Sequence, residues 1–232
     1  MATFQARVQA LTQLTMGTDP APSTTELTQF LIDGVLDVTE KWLLGHPQDI
    51  ESFARESAEQ TSNASLHLNG ARIISVVRES GINNDWRSCR KIPASMQSQV
   101  VDTDSLSFAS KYHPVYMLGN NGQVSVFPAA DTGGADSFKV YYVNNDPEEK
   151  GGSNLAYSHS DIKYFDDDKV YLVVLYAAIQ SLKAAAGNQA VLEDTELVST
   201  YSGLANSLTG EYNSAFQIEQ PAGQPAGQPA SR

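Results

Sequence analysis

The chain has 232 residues, 41% of them hydrophobic, and its 15 Lys and Arg against 27 Asp and Glu leave a formal net charge of −12. That length and apolar content support a sizeable core, while the acidic balance argues against a protein that coats nucleic acid, because such binding relies on Lys and Arg displacing counterions from phosphate. Cys89 is the only cysteine, which excludes an internal disulfide and a cysteine-based metal cluster.

The start, residues 1–22, lacks the basic and apolar pattern of a signal peptide and reads as a flexible arm with a helical turn or two, so the protein is expected to stay in the cytosol after synthesis. Ser23 and Glu26 then have the spacing of a capping box, and Leu27, Phe30, Leu31, Val35, Val38 and Trp42 recur along one helical face. Gly45 and Pro47 end that helix. Pro47 suits the first position of a second helix reaching about Gln60, with Ile50, Phe53 and Ala54 inward.

From about residue 64 to 145 the apolar period falls toward two, which marks a β insertion. Asn69-Gly70 and Asn121-Gly122 are dipeptides that favour the positive φ angles of tight hairpin turns. Pro114 to Val143 reads as a three-stranded antiparallel meander, with a short helix expected inside Ile92 to Ser110. Arg72, Arg78, Arg87, Arg90 and Lys91 crowd one stretch opposed only by Glu79 and Asp85, which makes either a solvated face or a docking patch for an acidic partner.

The segment DDDKVYLVVLYAAIQSLKAAAGN, Asp166 to Asn188, is the most unusual in the chain. No charge or amide occurs from Val170 to Ile179, yet a bilayer span needs roughly 20 apolar residues, so no membrane segment is expected. Asp166, Asp167 and Asp168 suit the N-terminal end of a helix, where carboxylates accept exposed N–H groups, and Gly187 or Asn188 can end it. Val170, Val173, Val174 and Ala177 occupy one face while Tyr171, Leu175, Ala178 and Leu182 occupy another, so both faces need cover, from the chain itself or from a neighbouring copy. Leu197, Tyr201, Leu204, Leu208 and Tyr212 mark a last amphipathic helix, and residues 219–232, with their Gln-Pro-Ala-Gly repeat, read as a flexible tail.

No pattern for catalysis stands out. His46, His67, His113 and His159 are far apart, no phosphate loop or nucleophile elbow occurs, and Asp166 to Asp168 read as a helix cap in preference to a Mg²⁺ or Ca²⁺ site. Cys89 beside Arg87 and Arg90 is either a lowered-pKa thiol or a small packed hydrophobe, and Trp86 and Tyr112 read as core residues. Neither cofactor nor metal ligands follow, and the expected class is α+β: a helical bundle from the N- and C-terminal segments (residues 24–60 and 168–216) with the β-meander inserted, in one domain over 23–218.

From about Arg72 to Leu182 the order of pieces resembles the head-to-tail connector, or adaptor, proteins of tailed bacteriophages. The likeness is carried by ARIISVVRESG, WRSCRKIP, DTDSLSFASKYHPVYML, GQVSVFPA and, most specifically, SDIKYFDDDKVYLVVLYAAIQSL. It implies a non-catalytic virion structural protein whose copies form a ring, commonly of about twelve, docked beneath the portal protein and extending the DNA channel. It further implies a surface for the next neck or tail protein, passage of genomic DNA without sequence-specific binding, and a place in the virion neck after a period in the host cytoplasm. The interface candidates are Tyr171, Leu175, Ala178 and Leu182, then Tyr201, Leu208 and Tyr212, and the basic Arg87, Arg90 and Lys91. Another neck, tail-completion or baseplate part is the nearest alternative, and a small enzyme or ligand-binding module is the alternative from a different class.

Overall fold

Ser23 Oγ accepts the Glu26 N–H at 3.2 Å while the Glu26 carboxylate accepts the Ser23 N–H at 2.8 Å, so the expected capping box starts helix α2, Thr24–Gly45. The computed structural model describes residues 2–63, 66–68, 70–119, 122–131, 135–143 and 146–216. The fold is α+β, as its patterning predicts. It divides into two compact units: Met1–Pro47 with Glu148–Ile162 and Asp167–Arg232, and Gln48–Pro147 with Lys163–Asp166. Within the span expected as one domain, 23–218, the β insertion closes a core of its own.

The helical unit is organised around α4, Val170–Val191, against which α1 (Phe4–Thr12), α2 and α5 (Thr195–Ser214) all pack. Being covered from several sides explains why α4 is apolar nearly all round: Val173, Val174, Leu175, Ala177, Ala178, Leu182 and Ala185 are each at most 1% exposed. The stretch Asp167–Val191 is long and apolar enough to cross a bilayer by composition, yet 61% of its most apolar window is buried inside the chain. Ser181, the one hydroxyl fully buried on α4, returns its proton to the Ala177 carbonyl at 2.7 Å. Gly34 lets α2 approach closely, since a Cβ there would lie 3.1 Å from the Tyr176 ring and 3.3 Å from Val173.

Two expectations for this unit need correction. The stretch expected as a free arm over 1–22 is docked where it is described: Phe4 and Val8 of α1 are fully buried, and the Phe4 and Gln5 N–H groups bond the carbonyls of His159 and Tyr157. Gly187 and Asn188 do not end α4 either, since the helix runs on to Val191 and the chain turns at Glu193, which adopts a positive φ of 60°. Asp194 then caps α5 by accepting the Leu197 N–H at 3.1 Å. The tail expected over 219–232 lies outside the described residues.

In the β unit one sheet has the order β1 (Ala54–Glu56), β7 (Phe138–Val143), β2 (Arg72–Glu79), β3 (Trp86–Ser88), all antiparallel. The other has the order β4 (Arg90–Lys91), β5 (Val115–Leu118), β6 (Val124–Phe127), with β4 parallel to β5. Leu68, Val76, Cys89, Tyr116, Val124, Val126, Phe138 and Val140 form a core cluster, and Ile92, Val100, Ala109 and Val115 a second.

The helix expected from Pro47 to Gln60 is only a 3-10 turn over Pro47–Phe53. The chain then becomes extended because β1, Ser57 and Gln60 find backbone partners along β7. The expected meander keeps its first hairpin, β5 to β6, with Gly122 at a φ of 70°, but β7 leaves to pair with β2. Ahead of the expected Asn69-Gly70 turn, the Leu68 N–H bonds the Gly122 carbonyl and the Val124 N–H bonds the Leu66 carbonyl, so residues 66–68 lie along β6. Residues 69 and 121 themselves lie outside the described ones. The short helix expected between Ile92 and Ser110 is α3, Gln97–Val101.

Candidate interaction surface

The candidate residues on α4 and α5 fall mostly inside the molecule. Leu175, Ala178 and Leu182 are covered by the chain's own helices, so they supply no surface to a neighbouring copy. Leu208 is buried, and so is Tyr212, whose hydroxyl donates to Asp37, itself paired with Lys41 at 2.8 Å. Burial, then the Asp37 carboxylate, raises the Tyr212 phenol above its ordinary pKa. Tyr201 is half-buried. Tyr171 stands out as 42% exposed, with its hydroxyl donating to Glu211 at 3.0 Å, so its ring edges α4 toward solvent while its tip is held.

The acidic run does not cap α4. A 3-10 turn over Asp167–Lys169 puts Lys169 at the N-cap with no side-chain cap bond; Asp167 instead takes the Lys150 ammonium at 2.9 Å and Asp168 lies 3.6 Å from the Lys169 ammonium. The Lys169 ammonium also sits 4.4 Å from the centre of the Trp42 ring, which lets a nearly buried cation keep a favourable contact.

The basic cluster separates into different roles. Arg78 is buried and structural: its guanidinium donates to the carbonyls of Pro128 at 2.8 Å and Ala129 at 3.2 Å and to the Asp136 carboxylate at 3.0 Å, clamping the segment that joins β6 to β7. Arg87 is exposed but paired with Asp85 at 2.9 Å. Arg90 and Lys91 are exposed on β4, the edge of its sheet. Cys89, just before β4, is 7% exposed and burial pushes its thiol up to about 12, so at neutral pH it packs as a small hydrophobe. Among the described residues no group of three or more His, Cys, Asp or Glu side chains could hold a metal ion.

The sequence reading missed an exposed apolar surface on the β unit. Leu106 is fully exposed, Val101 and Ile82 are each 57% exposed, and Phe108 and Tyr112 also face solvent. The Ala109 N–H bonds the Val100 carbonyl at 3.0 Å, bringing Phe108 back beside Val101. Within that loop Asp102 Oδ1 accepts the Asp104 N–H at 3.0 Å and Ser105 Oγ accepts the Ser107 N–H at 3.1 Å, so short polar side chains hold the turns that present Leu106. The Lys111 ammonium covers the Tyr112 ring at 5.3 Å and lies beside Gly81, next to Ile82. The available signal was the pair Leu106 and Phe108, two apolar residues two apart among Asp and Ser, in a stretch too short to be a core strand.

No protein-family model matches this chain, and no curated protein matches it significantly.

Proposed function

We propose that the chain is a non-catalytic structural subunit of a tailed-phage neck, a head-to-tail adaptor that joins the portal to the next neck or tail protein. The observation that carries this reading is the β unit's exposed apolar surface, Val101, Leu106, Phe108 and Tyr112, in a unit whose edge strand exposes Arg90 and Lys91. Large apolar residues grouped on a surface mark a contact with another protein, and exposed basic residues favour an acidic neighbour. Supporting it are the order of elements, with a β unit between two chain-distant helical segments, and the motifs that resemble connector proteins. Because α4 is covered within the chain, contacts between copies fall to other surfaces, with Tyr171 the α4 candidate that still reaches solvent.

In this reading the copies ring the DNA channel, the duplex passes without base-specific contacts, and the protein moves from host cytoplasm to virion neck on assembly. Native mass measurement of the purified protein, alone and mixed with a portal ring, tests it. Formation of a stoichiometric complex on the portal is expected, with Leu106→Asp still folding and binding the portal but failing to recruit the next tail component. A wild-type chain that stays monomeric with the portal overturns the proposal.

A further inference from the structure

A cavity of about 350 Å³ opens in the helical unit, lined among the described residues by Ala2, Arg7, Ser160, Asp161, Asp167 and Val170. Its charged groups are sorted in an unusual way. Asp161 Oδ1 accepts the Lys150 backbone N–H at 3.0 Å and Asp167 takes the Lys150 ammonium at 2.9 and 3.2 Å. Arg7 pairs with neither carboxylate; its guanidinium lies 5.9 Å from the centre of its own Phe4 ring, and the neighbouring Tyr171 hydroxyl is committed to Glu211. Arg7 and the Asp161 carboxylate therefore line one cavity without closing on each other. Partial burial disfavours the charged guanidinium, so an anion brought to it would relieve that cost.

Among the described lining residues Asp167 is already matched by the Lys150 ammonium, which leaves Arg7 and Asp161 as one open charge of each sign, so the surroundings suit a ligand that is neutral overall but carries both charges. The geometry points to a site for a free α-amino acid, its carboxylate on the Arg7 guanidinium, its ammonium on Asp161, and a small aliphatic side chain against Ala2 and Val170. The planar guanidinium fork matches a carboxylate in two parallel hydrogen bonds, and Ser160 supplies a hydroxyl to either charged end. A simple anion would face Asp161, and a simple amine would face Arg7, so each half of the ligand meets repulsion that the whole zwitterion avoids. This site is independent of the assembly reading.

Calorimetric titration of the full chain with L-valine tests it, with isobutyrate and isobutylamine as probes that each carry one of the two charges. Saturable binding of L-valine is expected, with either single-charge probe at least about tenfold weaker. Arg7→Gln, a change on a partly exposed side chain whose folding circular dichroism can verify, is expected to weaken L-valine about tenfold while leaving isobutylamine no weaker than before. Asp161→Asn weakens L-valine and spares isobutyrate. The proposal is overturned if L-valine shows no saturable heat in the millimolar range, if either single-charge probe binds as tightly, or if folded Arg7→Gln binds L-valine as well as the parent does.

Discussion

Glu79 shows how a single carboxylate can belong to the β unit's framework. It is 5% exposed and holds three donors: the Asn84 N–H at 3.0 Å and the Ser137 N–H and Oγ–H at 3.3 and 2.8 Å. Burial alone pushes its pKa up, but the Asn84 and Ser137 bonds, with help from Lys139, bring it below the ordinary Glu value of 4.5. A carboxylate whose native pKa is depressed stabilises the fold fully above its unfolded value, and that contribution disappears as pH falls through the native one. The urea midpoint of the β unit should therefore drop as pH is lowered from about 5 into the acid range. Glu79→Gln should flatten that dependence and lower the midpoint at neutral pH, and a variant with the parent's acid slope would refute the assignment. Nothing in the residue order marks Glu79, or Arg78 beside it, as buried. Their partners Ser137, Asp136 and Pro128 lie about fifty or more positions away, beyond the reach of any local pattern.

At the scale of elements, α4 was the most legible and its neighbours less so. Its uninterrupted apolar run predicts a helix needing cover on two flanks, which is what the chain builds, with α1, α2 and α5 supplying that cover. Leu175, 1% exposed, is therefore a folding residue of the single chain. Leu175→Asp should cost at least about 3 kcal/mol, because an unpaired carboxylate would be buried among aliphatic side chains. Asp167→Ala, on an exposed pair with Lys150, should leave the unfolding midpoint nearly unchanged. Denaturant melts of the isolated chain check both, and a cooperative, unshifted Leu175→Asp would contradict the packing. Helix α1 was expected only as a helical turn or two in a flexible arm, because only Phe4, Val8 and Thr12 of its nine residues are buried, too few to mark a packed face. The helix expected after Pro47 failed for the opposite reason. Its local signals were helical, but Ala54–Glu56 pair with β7 and leave Pro47–Phe53 as a single 3-10 stretch.

For the whole molecule, the division into two compact units places the stability of each in its own core. Phe138, fully buried on β7 within the larger β cluster, is the test. Phe138→Ala should cost about 3–5 kcal/mol and strip hydrogen-exchange protection from the β2 and β7 amides. The α4 amides are expected to retain theirs, and loss of protection in both sets together would show one cooperative core instead. Composition and periodicity by themselves determined the α+β class, the capped α2, the apolar α4, the α5 stripe and the β5–β6 hairpin. Each of these is written in residues within a few turns or one tight loop of one another. Tertiary structure alone decided that α1 closes the helical unit, that β7 pairs with β2, and that Leu175, Ala178 and Leu182 are interior while Leu106 is exposed. Those outcomes depend on which distant segments meet, and burial is a property of the neighbours a residue acquires on folding, which its own local sequence does not carry.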